Sequence, residues 1–177
     1  MTLNAPPPRP LEPDAFPDLV DAAARHRRAA PGAAALDAGL DLQGLCRFAA
    51  GALRPGERGH VEGQLATTPW ATTRVAALVR GARGDAHGGL ARGVLEAARA
   101  GAVDPSRVVG DALVRESGGG DDARARAGRA LLEGRDDDAA AALASAPSPS
   151  PLVTLAQRVA QLRRDPDLAL CELLDAL

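Results

Sequence analysis

The stretch Leu45–Thr72, LCRFAAGALRPGERGHVEGQLATTPWAT, carries the most information about the fold of this chain. It contains a short helical run, a Gly-x-Leu turn at Gly51, a run that contains Glu57, and a Leu-x-x-x-Pro step that leads into a third run. Just ahead of it, Asp41 is a residue type that caps helix N-termini. The stretch therefore predicts three short helices in succession.

The composition extends this prediction to the whole chain. The apolar fraction is 46%, and it consists mostly of alanine, leucine and valine, without isoleucine or tyrosine. Alanine, leucine and arginine favour helices, whereas the β-branched and aromatic residues that favour strands are scarce. We therefore predict an all-α protein, with helices that approach closely but bury little apolar surface at each contact.

Charge and hydropathy exclude several classes of function. The formal net charge is -2 and no basic block is present, so neither nucleic acid nor an anionic membrane is an expected partner. Apolar runs stay well below the ~18 residues of a membrane-spanning helix, and the N-terminus does not resemble a signal peptide. The two cysteines, Cys46 and Cys171, do not form a disulfide framework. A cytoplasmic location is the expectation.

Proline and glycine divide the chain into three predicted parts. Residues 1–13 contain five prolines and are expected to form a disordered tail. Residues 14–83 are expected to form a small helical domain. Residues 84–177 are expected to form antiparallel helical hairpins, with pairs at about 90–116, 121–145 and 152–176.

Within the first domain the sequence predicts a helix from Asp14 or Asp18 through Arg28 and a short alanine-rich helix through Leu36. Three further helices are predicted from Asp41 to about Leu53, from Pro55 to about Ala66, and from Thr68-Pro69 to about Arg83. Proline at a first helical position and aspartate at an N-cap indicate where these helices begin. Leu42, Leu45, Cys46 and Ala49 lie at helical spacing on one face of the helix that begins at Asp41.

Residues 42–80 resemble the zinc-finger domain of bacterial anti-sigma factors. The apolar and turn positions of that family are matched by Leu45, Phe48, Gly51, Leu53, Glu57, Val61, Glu62 and Leu65, and Pro69 matches a proline often found between the family's two cysteines. The zinc ligands are missing: Gln64 stands at the histidine position, and Thr68 and Ala71 stand at the two cysteine positions. The resemblance implies a domain of this type that folds without zinc.

Such a domain must replace metal coordination by packing. The residues expected to form its core are Leu45, Phe48, Leu53, Val61, Leu65, Trp70 and Leu78. The ring of Trp70 could fill the space that zinc would occupy, or it could be an ordinary core residue. A zinc site from Cys46, His60 and a carboxylate is the alternative, but an exposed His60 is expected. We therefore predict no metal and no cofactor.

Residues 121–177 show a weaker resemblance to tetratricopeptide-like helical hairpins. Small residues recur in such repeats where paired helices touch, and a proline closes the second helix. Ala139, Leu143, Ala146 and Pro151 fit that spacing, whereas the large residues of the first helix are absent. A general helical array is the alternative interpretation.

The sequence contains no nucleophile elbow, phosphate loop or metal-binding helix motif. The prediction is a non-enzymatic bacterial module for protein–protein interaction, of the anti-sigma type and active in transcription regulation. A sigma factor or another transcription component is the expected partner. The alternatives are a tetratricopeptide-like scaffold or adaptor that binds a peptide or protein, and a homo-oligomeric structural protein.

Overall fold

The computed structural model describes residues 39–84, 89–118, 120–146 and 150–177, and the predicted tail and the region up to residue 38 lie outside these ranges. The described residues form nine α-helices and no strand, so the all-α prediction is confirmed. The helices are α1 Leu42–Ala49, α2 Arg58–Thr67, α3 Pro69–Gly81, α4 Leu90–Ala100, α5 Pro105–Glu116, α6 Ala123–Leu132, α7 Asp136–Ala144, α8 Pro151–Gln161 and α9 Pro166–Asp175.

Short polar side chains and prolines set most helix starts. A side-chain oxygen accepts a hydrogen bond from a first-turn amide at five N-caps, namely Asp41, Asp104, Asp122, Ser150 and Asp165. Such bonds satisfy amide groups that have no partner within the helix. Proline stands in the first turn of α3, α5, α8 and α9, where its missing N–H costs nothing.

Two boundaries in the first part differ from the sequence prediction. The first helix ends at Ala49 rather than near Leu53, because the chain turns at Gly51 with a φ of 68°, a conformation that glycine adopts without strain. The second helix begins at Arg58 rather than at Pro55, because Glu57 N donates to Arg54 O in a separate turn.

Consecutive helices pack on each other along the array, and α9 returns to the beginning of it. This last helix contacts α1 and α3 as well as α5 and α8. The predicted domain boundary at residues 83–84 falls between α3 and α4, which pack against each other, and α4 also contacts α1. The described residues accordingly belong to one compact unit.

The core is apolar throughout the described residues. It consists of leucine, valine and alanine with the two cysteines, and the buried set contains no polar or charged side chain. Leu113, Leu170 and Leu173 are completely inaccessible. Since small side chains bury little area each, stability depends on close helix–helix approach.

The closest approach joins α5 and α6 through two glycines. A Cβ at Gly110 would lie 2.8 Å from Gly128 O, and a Cβ at Gly128 would lie 2.7 Å from Gly110 O. These distances are shorter than any contact between real atoms of these types, so the two backbones meet at a point that admits glycine alone.

Within the described ranges, the helices all fall short of the length and apolar character that crossing a bilayer requires.

Candidate functional site

The three helices that carry the anti-sigma resemblance, α1 to α3, contact one another in all three pairs; we call them the α1–α3 unit. Asp41 caps α1 by accepting from Gly44 N at 2.8 Å. Arg47 reaches from α1 to Glu57, at 3.3 Å, just before α2, and its other terminal nitrogen lies 4.0 Å from Asp41. Polar side chains thus connect the start of α1 with the start of α2.

Gln64 makes a second connection between these helices. Its Oε1 accepts from Asp41 N at 3.3 Å, and its Nε2 donates to Gly39 O at 3.4 Å. The same Nε2 lies 3.2 Å from His60 Nε2, one turn earlier on α2. Because an amide both donates and accepts, Gln64 holds α2 against the backbone just before α1. These hydrogen bonds cross-link segments that are more than 20 positions apart in sequence.

The other two positions equivalent to zinc ligands have different roles. Thr68 lies between α2 and α3 as the N-cap of α3, without a side-chain cap hydrogen bond. Ala71, in the first turn of α3, is fully buried. Structural zinc requires cysteine, histidine or carboxylate ligands. The amide, hydroxyl and methyl groups at these positions do not fit zinc.

Cys46 and His60 are not combined into an alternative metal site. Cys46 is completely buried, and burial, followed by the charge of Asp41, raises the pKa of its thiol to about 12. Burial thus disfavours the thiolate form, which is the form that binds metals. His60 is exposed on α2. Across the described residues, no group of three or more histidine, cysteine or acidic side chains is arranged for a metal ion.

Trp70 lies at the edge of the core rather than in its centre. It is half-buried, and its Nε1 donates to Asp175 Oδ1 on α9 at 3.1 Å. Arg74, one turn later on α3, pairs with the same carboxylate oxygen at 2.7 Å. The guanidinium carbon of Arg74 lies 5.8 Å from the centre of the Trp70 ring, within the range of a cation–π contact. Trp70 thus helps to fasten α9 to α3.

The remaining residues predicted for the core divide into two groups. Leu45, Val61 and Leu78 are buried, with exposed fractions of 1% each. Phe48, Leu53 and Leu65 are partly buried and pack against the core from its edge.

Two features of this region could not be found from the sequence alone. Asp175 follows Trp70 by 105 positions, and no local pattern connects the two. Gln43 Nε2 donates to Val103 O at 2.9 Å, and Gln43 Oε1 accepts from Val103 N at 2.8 Å. That reciprocal pair links α1 to the loop between α4 and α5, although glutamine on a helix normally indicates only a solvated face.

An open groove of about 300 Å³ lies between α4 and α5. Gly93, Ala97 and Val108 form the less bulky part of its lining. Charged residues of both signs line it as well, namely Glu96, Asp104, Arg107, Asp111 and Arg115. The mixture of charges does not select one class of ligand.

Comparison with known proteins provides no assignment for this site. No family model matches the chain, and neither the curated proteins nor the solved structures contain a match.

Proposed function

We propose that this chain is a non-enzymatic regulatory protein that binds another protein through the α1–α3 unit, in the manner of an anti-sigma factor. A sigma factor is the specific partner proposed. The main support for this proposal is Gln64, which stands where the resemblance implies a zinc-binding histidine. There it cross-links α2 to the segment before α1 through two backbone hydrogen bonds.

The packing of the unit supports the same proposal. The three helices contact each other in all pairs, and Val61 on α2 and Ala71 on α3 are buried apolar side chains. Hydrogen bonds and packing therefore take over the cross-linking role that a structural metal has in a small domain. The outer side of α2 is left exposed and available to a partner.

The adaptor alternative depends on an open array with separated ends. In a solenoid each repeat contacts only its neighbours, whereas here α9 contacts α1 and α3. These contacts count against an open solenoid and favour the first proposal.

Binding of purified sigma factors from the source organism to the immobilised chain tests the proposal. We expect one of them to bind, and we expect the double variant Arg58→Glu/Arg80→Glu, with exposed changes on α2 and α3, to weaken binding at least about tenfold through reversed charge at the interface.

The matched control is Arg107→Glu/Arg126→Glu, with exposed changes on α5 and α6; it should retain binding within about twofold. Lack of binding by every sigma factor would refute the partner. Equal weakening by both double variants would refute the α1–α3 unit as the binding surface.

A further inference from the structure

Helix α2 has few buried contacts of its own. Val61 is its one buried side chain, and its main neighbours are α1 and α3. The contact with α1 is close, since a Cβ at Gly44 would lie 3.1 Å from Val61 Cγ2. By comparison, α5 buries six residues. Because packing supplies most of the stability of helices in proteins, α2 is held much more weakly than α5.

Two glycines weaken α2 further without serving its packing. A Cβ at Gly59 or at Gly63 would meet no atom within 4 Å. Neither position requires the left-handed backbone that favours glycine. Glycine in a helix interior lowers the helix equilibrium about fivefold relative to alanine. The cost is greatest at Gly63, in the middle of α2.

The N-terminus of α2 also lacks a stabilising device that other helices have. Its N-cap residue, Glu57, makes no side-chain cap hydrogen bond to α2. Instead, Glu57 Oε2 accepts from Arg54 N, outside the helix, at 3.0 Å. The first amides of α2 therefore depend on solvent, whereas Asp41 and Asp104 cap α1 and α5.

Polar tethers and the partly buried Leu65, rather than a broad apolar interface, hold α2 at its C-terminal half. Gln64 hydrogen-bonds to Gly39 and Asp41 at 3.3–3.4 Å. Thr72 Oγ1, on α3, donates to Leu65 O at 2.8 Å. Each of these bonds is exposed or partly exposed, so water replaces it readily when α2 moves away.

We infer that α2 opens as a separate unit, while the other eight described helices stay folded. Opening removes Val61 from α1 and uncovers the surface around Gly44 that Val61 contacts. If the chain binds a protein as proposed, this motion would give the partner access to the inner face of the α1–α3 unit. That consequence rests on the proposed function. The opening itself does not depend on any partner.

Amide hydrogen exchange on the full chain, without a binding partner, tests this inference. In the unmodified protein the amides of α2 should exchange much faster than those of Leu113 and its neighbours in α5, because local opening exposes them without global unfolding. The variant Gly63→Ala should slow exchange in α2 about fivefold, after correction for intrinsic rates, and leave exchange in α5 unchanged.

The matched control is Ala140→Gly, at an exposed position in the middle of α7. It should leave exchange in α2 unchanged, because the cost of glycine falls on α7. The inference is overturned if α2 and α5 show equal protection, or if Gly63→Ala slows exchange in both helices by the same factor. Neither result would bear on sigma-factor binding, since no partner is present.

Discussion

Gly128 is the residue at which a single methyl group would disturb the packing most. A Cβ there would lie 2.7 Å from Gly110 O and 2.8 Å from Val114 Cγ2. The backbone oxygen cannot yield without moving α5. Gly128→Ala should therefore destabilise the protein by about 2–3 kcal/mol, the upper range for overpacking of a core. The free energy of unfolding in urea measures this.

Gly63→Ala is the matched control for that measurement, because the same substitution is made in a helix where a Cβ meets open space. It should not destabilise the protein, since alanine is the better helix former. If Gly128→Ala unfolded at the same urea concentration as Gly63→Ala, the result would contradict the close contact between the backbones of α5 and α6.

Asp175 joins the last helix, α9, to α3. Its carboxylate accepts from Trp70 Nε1 at 3.1 Å and pairs with Arg74 at 2.7 Å. The side chains of Arg74 and Asp175 are 21% and 19% exposed, so Asp175→Ala would leave two partly buried donors without an acceptor. The expected loss is about 1–2 kcal/mol in the free energy of unfolding.

Fluorescence gives a local check on this prediction, because Trp70 is the single tryptophan of the chain. Asp175→Ala should shift its emission to longer wavelength as water reaches the indole. Asp175→Asn, which keeps an oxygen acceptor but removes the charge, should lie between the parent and Asp175→Ala. An unchanged spectrum in Asp175→Ala would contradict the contact between α3 and α9.

At the scale of helices, Asp104 shows how well local chemistry defines the start of a helix. Its side chain accepts from Ser106 N at 3.0 Å and from Arg107 N at 3.4 Å. Asp104→Ala should cost about 1 kcal/mol, the usual value for loss of an N-cap. Asp111→Ala, an exposed acidic position within the same helix, should cost little in the same urea titration. Equal effects would mean that charge rather than capping is responsible.

The same local signals explain which elements could be predicted from the sequence. Asp104-Pro105 and Asp165-Pro166 mark the starts of α5 and α9, where the structure has them. The prediction was wrong between Ala49 and Arg58, where it extended two helices into the turn. Helical propensity is similar on both sides of such a boundary, and the positive φ of Gly51 decides it.

The candidate site was predictable in its outline but not in its contacts. Its three helices and the apolar face of α1 that contains Leu45 follow from turn signals and apolar spacing. The partners of Gln64 and Trp70 do not, because their hydrogen bonds join segments 23 to 105 positions apart. Such pairs depend on how helices pack, and a periodic pattern in a single helix carries no information about them.

At the scale of the whole molecule, the composition implies that two thiols control how the free energy of unfolding changes at alkaline pH. The chain has neither lysine nor tyrosine, the residues that normally titrate near pH 10, and arginine remains charged. Burial above all raises the pKa of both Cys46 and Cys171 from 9.0 to about 12. Between these pH values the unfolded chain therefore loses protons that the folded chain keeps.

The sign of the effect follows from this difference. A group whose pKa is higher in the folded state stabilises that state below the unfolded pKa, and the contribution is lost as pH rises. Above pH 9.0, and up to about pH 12, each thiol should lower the free energy of unfolding by about 1.4 kcal/mol per pH unit. Urea titrations at successive pH values, with a reductant present, measure this slope.

Variants assign the slope to particular residues. Cys46→Ala and Cys171→Ala should each remove about half of it, and the double variant should be nearly independent of pH in this range, even though both substitutions lower the stability at every pH. Comparison of slopes rather than of absolute stabilities separates titration from the loss of packing. A double variant that kept the parent's slope would show that some group other than the buried thiols controls the alkaline limit, and it would contradict the burial of Cys46 on α1.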